Sequence, residues 1–148
     1  MSTVRYYPYT RHVLAGGHEC VLRPFDSDHQ GIDLTDWNAV QCNADVEVVA
    51  FADGIVTDVT KGEQIGYAVS VLHNGGLLTR YWHMKAGSVQ VNCGQAVKRG
   101  DVLGLMGSTG TAAGGVVHLH FAVKTGSESW DTGVYVDPQP YLMGYKLL

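Results

Sequence analysis

What the chain lacks narrows the field before any motif is read. It has three cysteines, Cys20, Cys42 and Cys93, and no Cys-x-x-Cys pair, which excludes a cysteine-based zinc site and a thioredoxin-like motif. An odd, low count is no disulfide framework, so the three read as reduced thiols with at most one bridge among them. Charge is sparse at 16% of residues, with a net of -4 and a pI near 5.9. That balance excludes a nucleic-acid binder that works by neutralising phosphates. No apolar stretch approaches the roughly 20 residues of a membrane span, so no membrane insertion is expected. The first twenty residues carry Arg5, Arg11, His12 and Glu19, and their longest apolar run is Val13-Leu14-Ala15. This is not the apolar stretch of a signal peptide, and no export signal is expected. Four prolines and no Gly-X-Y period exclude a collagen-like chain.

What is present points to one β domain. A chain of 148 residues, 45% of them hydrophobic, is a single domain able to bury a core. Nineteen glycines are about twice the usual share and fit many tight turns between short strands. Residues 1–25 are aromatic (Tyr6, Tyr7, Tyr9, Phe25) without a clean period, and are expected to pack as a segment on a domain formed by residues 26–148. From Val46 onward short apolar runs alternate with turn chemistry. The runs are Val46–Ala52, Ile55–Thr60, Tyr67–Leu72, Leu77–Trp82, Val102–Met106 and Val116–Lys124. Asp53-Gly54, between the first two, predicts a two-residue hairpin, because Asp-Gly tolerates the positive φ angles of a type I′ turn. No run of eleven or more residues keeps a 3.6-residue period, so helix content should be low. The expected fold is a mostly β, antiparallel single domain.

Two motifs can carry chemistry together. In His118-Leu119-His120-Phe121, strand alternation puts both imidazoles on one face and the two apolar side chains on the other. Alone, this also describes a pair of half-exposed histidines. In His29-Gln30-Gly31-Ile32-Asp33, histidine and aspartate share a face in either a strand or a helix, and Gly31 permits a close backbone approach. Two imidazole nitrogens and a carboxylate oxygen form a ligand set suited to a catalytic zinc with a fourth position open, where the pKa of bound water can fall to about 7. Neutral imidazole also suits copper or iron, so ligand type leaves the metal open. His83 ends the run Leu77–His83, where spacing alone makes it a polar tip. His12, His18 and His73 have no partner at ligand spacing and read as structural or solvent-exposed. The glycine-rich Gly104–Gly115 lacks the terminal Gly-Lys-Ser/Thr of a phosphate loop, which excludes a nucleotide site. Arg99-Gly100-Asp101 reads as a turn.

In these residues the chain resembles the lysostaphin-type (LytM-like) zinc endopeptidases that act on peptidoglycan. His29–Asp33 is similar to the family's H-x-G-x-D motif, and Val48–Val56 to its hairpin. Tyr81-Trp82-His83-Met84 resembles Y-x-H-L, Gly94–Gly110 the glycine-punctuated stretch, and His118–Phe121 the H-x-H-F strand. Val136-Asp137-Pro138 followed by Tyr141-Leu142 resembles the usual ending. The likeness runs over residues 26–142. It implies the lysostaphin/LytM (duplicated hybrid motif) fold and one zinc ion per chain on His29, Asp33 and His120. It further implies that His83 and His118 are unligated catalytic histidines, one the general base and the other a donor to the oxyanion, in an order that spacing leaves open. The implied substrate is a peptide bond in the stem or cross-bridge of bacterial peptidoglycan, cut at the cell wall. With no export signal expected, an enzyme released by a phage, one carried on a virion or a domain trimmed from a longer precursor would each fit, the phage reading being favoured. Two departures stand out: Trp82 and Met84 replace the commoner glycine and leucine, and Arg23 stands where some relatives have tyrosine. The competing readings are a non-catalytic binding or activator domain of the same fold and a structural β domain of a phage tail. Relatives of the first kind typically lack the metal ligands, all three of which are present here.

Overall fold

Short apolar runs cut by glycine turns can bury their side chains only by pairing edge to edge and stacking one face on a core, and the chain does this. The computed structural model describes residues 13–15, 19–126 and 132–143. Tyr6, Tyr7, Tyr9, His12 and His18 lie outside them. Among the described residues the strands are β1 (Glu19–Arg23), β2 (Ile32–Asp36), β3 (Glu47–Val49), β4 (Gly54–Gly62), β5 (Gly66–Leu72), β6 (Leu78–Met84), β7 (Ala96–Val97), β8 (Val102–Leu105), β9 (Leu119–Thr125) and β10 (Val134–Val136). The α-helices are two five-residue pieces, α1 (Trp37–Gln41) and α2 (Gln139–Met143), and Thr111–Ala113 forms one 3-10 turn. The large sheet runs β1-β2-β9-β6-β5-β4-β7, with β10 also paired to β9, and β3 with β8 forms a small second sheet. The described pairings are antiparallel, so the β architecture with little helix is as expected.

Register fixes the division of labour between the two faces. Ile32, Phe121 and Tyr81 stand in one row across β2, β9 and β6, and all three are fully buried in the core. One residue along, Asp33, His120 and Trp82 stand in the next row and so face the other way. Leu34, Leu119, Val69, Val71 and Val56 complete the core face, against which Val46, Val48 and Leu103 of the small-sheet side are packed. Burying each large apolar side chain contributes roughly 1.5–3 kcal/mol, which anchors the polar row on the opposite face.

One expectation is corrected. Asp53-Gly54 is not a hairpin turn: β3 pairs with β8 while β4 pairs with β5 and β7, so the dipeptide crosses from one sheet to the other. Neither residue has positive φ. Glycine is required at 54 for closeness, since an added Cβ would lie 2.4 Å from the Leu72 carbonyl oxygen. The Asp53 carboxylate accepts from the Arg99 N–H at 2.8 Å, which ties the crossing to the next turn. Residues 1–25, which show no period, nevertheless contribute β1 on the sheet edge. Val13 and Leu14 are fully buried, and Val13 accepts from the Val49 N–H at 2.9 Å. On β1 the adjacent Val21 and Leu22 are both exposed, so no alternation marks it. The turn expected at His73–Gly76 is present, with Gly75 and Gly76 both at positive φ.

Candidate metal centre

His29 is delivered by a tight loop and not by a strand. Asp26 and His29 exchange two backbone hydrogen bonds of 3.1 Å, and the Asp26 carboxylate accepts the Asp28 N–H at 2.7 Å. The His29 Nδ1–H donates to the Pro24 carbonyl at 2.9 Å, which leaves Nε2 as the inward-facing lone pair of the neutral ring. Asp33 follows on β2, with its Oδ1 3.2 Å from that Nε2. His120 stands beside Asp33 in the sheet register and brings its Nδ1 to 2.9 Å from the same oxygen. Gly31 is what lets β9 come so close, because a Cβ there would lie 2.5 Å from His120 Nε2 and 2.9 Å from the Phe121 carbonyl oxygen. On its far side the His120 ring is stacked on the Trp82 indole, centroids 4.5 Å apart and planes 26° apart. One donor atom each from His29, Asp33 and His120 lies within 4.8 Å of the other two.

His118 and His83 complete the cluster. His118 sits one residue before β9, bridged to Gly107, and its Nδ1–H donates to the Val116 carbonyl at 2.8 Å. Its Nε2 lies 3.7 Å from Asp33 Oδ1. His83 reaches the same face by an irregularity. Between Tyr67 and Val69 of β5 stands only Ala68, whereas the matching stretch of β6, from Tyr81 to Met84, holds both Trp82 and His83. The extra residue makes a β-bulge, and His83 takes a φ of 68°. Strict alternation from Trp82 would turn His83 toward the core; the bulge brings its ring to 5.0 Å from that of His118. Its Nδ1–H donates to the Thr109 carbonyl at 2.7 Å.

The electrostatics follow from this packing. The four histidines are no more than 8% exposed. Burial works against ionisation of Asp33, but the hydrogen bond from His120 and the charges of His120, His118 and His29 outweigh it and hold the carboxyl below its usual range. Burial lowers His83 to about 4, reinforced by His118 and His120 and opposed by the bond to Thr109 and by Asp33, so its imidazole is neutral at neutral pH. In the neutral state three imidazoles have Nδ1–H committed to backbone carbonyls, and two of the freed Nε2 lone pairs point at an anionic oxygen. Acceptors facing acceptors need a cation between them or protons added to them. With two imidazoles and one carboxylate, the set is one that could hold a metal ion.

A model of peptidase family M23 matches residues 27–138. The chain belongs to peptidase family M23. Among curated relatives, the glycyl-glycine endopeptidase ALE-1 of Staphylococcus capitis is 32% identical over 120 residues, covering 78% of this chain and 29% of that protein. The antimicrobial peptidase lysostaphin from Staphylococcus simulans superposes with a TM-score of 0.65 at 26% identity, over 91% of this chain and 49% of that one. A chain from the crystal structure of the SpoIIIAH and SpoIIQ complex superposes with a TM-score of 0.71 at 25% identity, over 87% and 96%. The chain spans under a third of the length of the curated relatives it matches. The lysostaphin-type resemblance and fold therefore hold.

Against this M23 frame, all five residues singled out in sequence (His29, Asp33, His83, His118 and His120) lie in one cluster. His73 lies elsewhere, buried, with both ring nitrogens hydrogen-bonded. The Gly104–Gly115 segment supports His83 and His118: Gly107 accepts the His118 N–H and Thr109 accepts from the His83 ring. The backbone acceptors Pro24, Val116 and Thr109 were not foreseen, since a carbonyl carries no side-chain signal. Cys20, Cys42 and Cys93 are free thiols. Among the described residues no helix is long and apolar enough to cross a membrane.

Proposed function

We propose that the chain is a zinc-dependent endopeptidase that hydrolyses peptide bonds in the stem or cross-bridge of bacterial peptidoglycan, at the cell wall. The observation that carries this reading is the convergence of inward lone pairs from His29 and His118 on the Asp33–His120 pair, an arrangement that a cation would satisfy. Residues 26–148 form the catalytic unit and residues 1–25 pack on it, a division supported by the pairing of β1 with β2 and the burial of Val13 and Leu14. His29, Asp33 and His120 hold one zinc ion, which supplies Lewis acidity toward a water molecule and the substrate carbonyl.

The protein's own groups do the rest. As water adds to the carbonyl carbon, Nε2 of His118 or of His83 accepts the proton that the water loses and returns it to the departing amine nitrogen. The other imidazole, once a proton has reached its Nε2, donates to the oxygen on which negative charge builds, a contact that strengthens as the transition state is approached. A cavity of about 330 Å³ beside His29 and His120, walled by Trp82 and Tyr135, gives an extended peptide room to lie against the sheet. The glycyl-glycine endopeptidase and the peptidase among the relatives favour a peptide cross-bridge of small residues as the substrate.

A second reading, a binding module without catalysis, is favoured by the likeness to a chain from a protein–protein complex. Loss of turbidity of purified cell walls, with and without chelator, separates the two, since only an endopeptidase clears walls and loses that activity on chelation. Replacing His118 by Ala is expected to abolish cleavage while zinc stays near one per chain. Loss of the metal in that variant would move His118 into the ligand set and break the assignment.

A further inference from the structure

The bulge that turns His83 onto the sheet's polar face leaves a gap in the β5–β6 ladder, and one residue from outside the sheet fills it. The Tyr67 N–H, which would otherwise bond across to β6, donates to the Thr109 hydroxyl oxygen at 3.1 Å. The same hydroxyl donates to the Met84 carbonyl at 2.5 Å. One O–H group thus relays a ladder hydrogen bond between two strands that the extra residue has pushed apart. Thr109 also presents its carbonyl to the His83 ring, at 2.7 Å from Nδ1. A carbonyl can only accept, so this bond fixes the tautomer: Nδ1 carries the hydrogen and Nε2 keeps its lone pair. The clamp is held in place by two glycines. A Cβ on Gly66 would lie 2.3 Å from Thr109 Oγ1, and one on Gly110 would lie 2.3 Å from the Gln64 carbonyl oxygen. Thr111 and Ala112 then add backbone bonds to Glu63 and Gln64 at the β4–β5 turn.

We propose that Thr109 is the positioning residue of His83, its hydroxyl bridging the bulge while its carbonyl sets the ring tautomer and aims Nε2 at the reacting centre. This rests on the catalytic reading of His83 given above and adds to it a residue that makes no contact with the candidate metal ligands in any described bond. The hydroxyl matters because the carbonyl alone cannot choose its place: with Oγ1 removed, the Tyr67 N–H and the Met84 carbonyl lose their relay. The Thr109 backbone is then free to shift relative to His83. A misplacement of about 1 Å at a catalytic group costs on the order of a hundred-fold in rate.

The test uses the full zinc-loaded chain with Thr109→Val, Thr109→Ala and Thr109→Ser, assayed on purified cell walls and a soluble bridge peptide. The Val and Ala variants are expected to lose about a hundred-fold in kcat, with KM and zinc content unchanged. The Ser variant, which keeps the relay, is expected to behave as the unsubstituted chain. A second readout does not need turnover: the slowly exchanging Nδ1–H resonance of His83, assigned by its disappearance in His83→Gln. It should be present in the unsubstituted chain and in Thr109→Ser, and absent in Thr109→Val and Thr109→Ala. A Val or Ala variant that keeps both kcat and the resonance overturns the proposal, as does a Ser variant that loses them. Failure of the unsubstituted chain to cleave any substrate would instead sink the catalytic reading, with the resonance still reporting on the clamp.

Discussion

His73 and His29 are buried to nearly the same degree, at 7% and 8% exposure, yet they sit in opposite kinds of polar environment. Around His73 every group has a counterpart. Its Nδ1–H donates to the Asp53 carbonyl at 2.8 Å, so its Nε2 accepts from the Thr79 hydroxyl, also at 2.8 Å. Thr79 Oγ1 in turn accepts from the Tyr81 hydroxyl at 2.9 Å, and Tyr81 Oη accepts the Phe51 N–H at 3.0 Å. Burial pushes the Tyr81 phenol up to about 12 against the opposing pull of its bonds to Thr79 and Phe51, so it stays protonated and able to donate. Around His29 the ring hydrogens of His29 and His118 go outward to backbone carbonyls, and their Nε2 lone pairs face the Asp33 carboxylate. A buried polar chain that closes on itself holds the fold together, whereas one that leaves acceptors facing one another asks for a positive charge. The difference lies in where the hydrogens go, and it separates a structural histidine from a ligand where burial does not.

The largest effect should come from breaking the open cluster. Replacing Asp33 by Ala removes the charge on which the histidines converge, and both zinc binding and wall cleavage are expected to fall below detection. The unsubstituted chain should melt higher with zinc. At a free concentration a thousand times Kd, binding adds about 4 kcal/mol, or on the order of 10 °C for a domain of this size. Asp33→Ala should show no such shift, and chelator should leave its melting point where it was. A zinc-dependent rise that survives in this variant would place the cation elsewhere.

A smaller effect, of the opposite kind, is expected in the closed chain. Tyr81→Phe deletes one hydroxyl and leaves the buried Phe51 N–H without its acceptor and Thr79 without its donor. Loss of such a partner destabilises by roughly 1–3 kcal/mol, readable as a lower urea midpoint. Zinc content and kcat should stay unchanged, because the closed chain lies on the core face of the sheet. If Tyr81→Phe lowered zinc affinity instead, the two clusters would be coupled and the contrast between them would fail.

How far this contrast could be read in sequence depends on which atoms carry it. His29, Asp33, His118 and His120 announce themselves by side-chain type and spacing, and the runs that become β5, β6, β8 and β9 are marked by apolar residues between glycine turns. The closed chain around His73 was not legible, because two of its partners, the Asp53 carbonyl and the Phe51 N–H, are backbone groups. The same is true of Pro24, Val116 and Thr109. Asp53-Gly54 misled for a related reason: its chemistry fits a type I′ turn, but the Leu72 carbonyl pressing on Gly54 is a tertiary demand that local sequence does not express. The bulge was hidden most completely. Alternation counted along Leu78–Met84 places His83 on the core face, and only the pairing with Ala68 on β5 reveals the extra residue.

The bulge at His83 has a smaller effect on stability, one of sign more than of size. His83 holds a φ of 68°, where a side chain with a Cβ is disfavoured by about 1–2 kcal/mol. Glycine escapes that penalty but loses about 0.5–1 kcal/mol more than alanine in chain entropy on folding. At position 83 the first quantity exceeds the second, so His83→Gly should be more stable than His83→Ala by roughly 0.5–1 kcal/mol. His118 is not among the residues with positive φ, so only the entropy difference acts there. His118→Gly should therefore be less stable than His118→Ala by about the same amount. All four variants are expected to be inactive, so the reading rests on urea midpoints taken with chelator present. An inverted order at 83 alone would locate the strain at the bulge, and the same order at both positions would mean that His83 reaches the cluster without it.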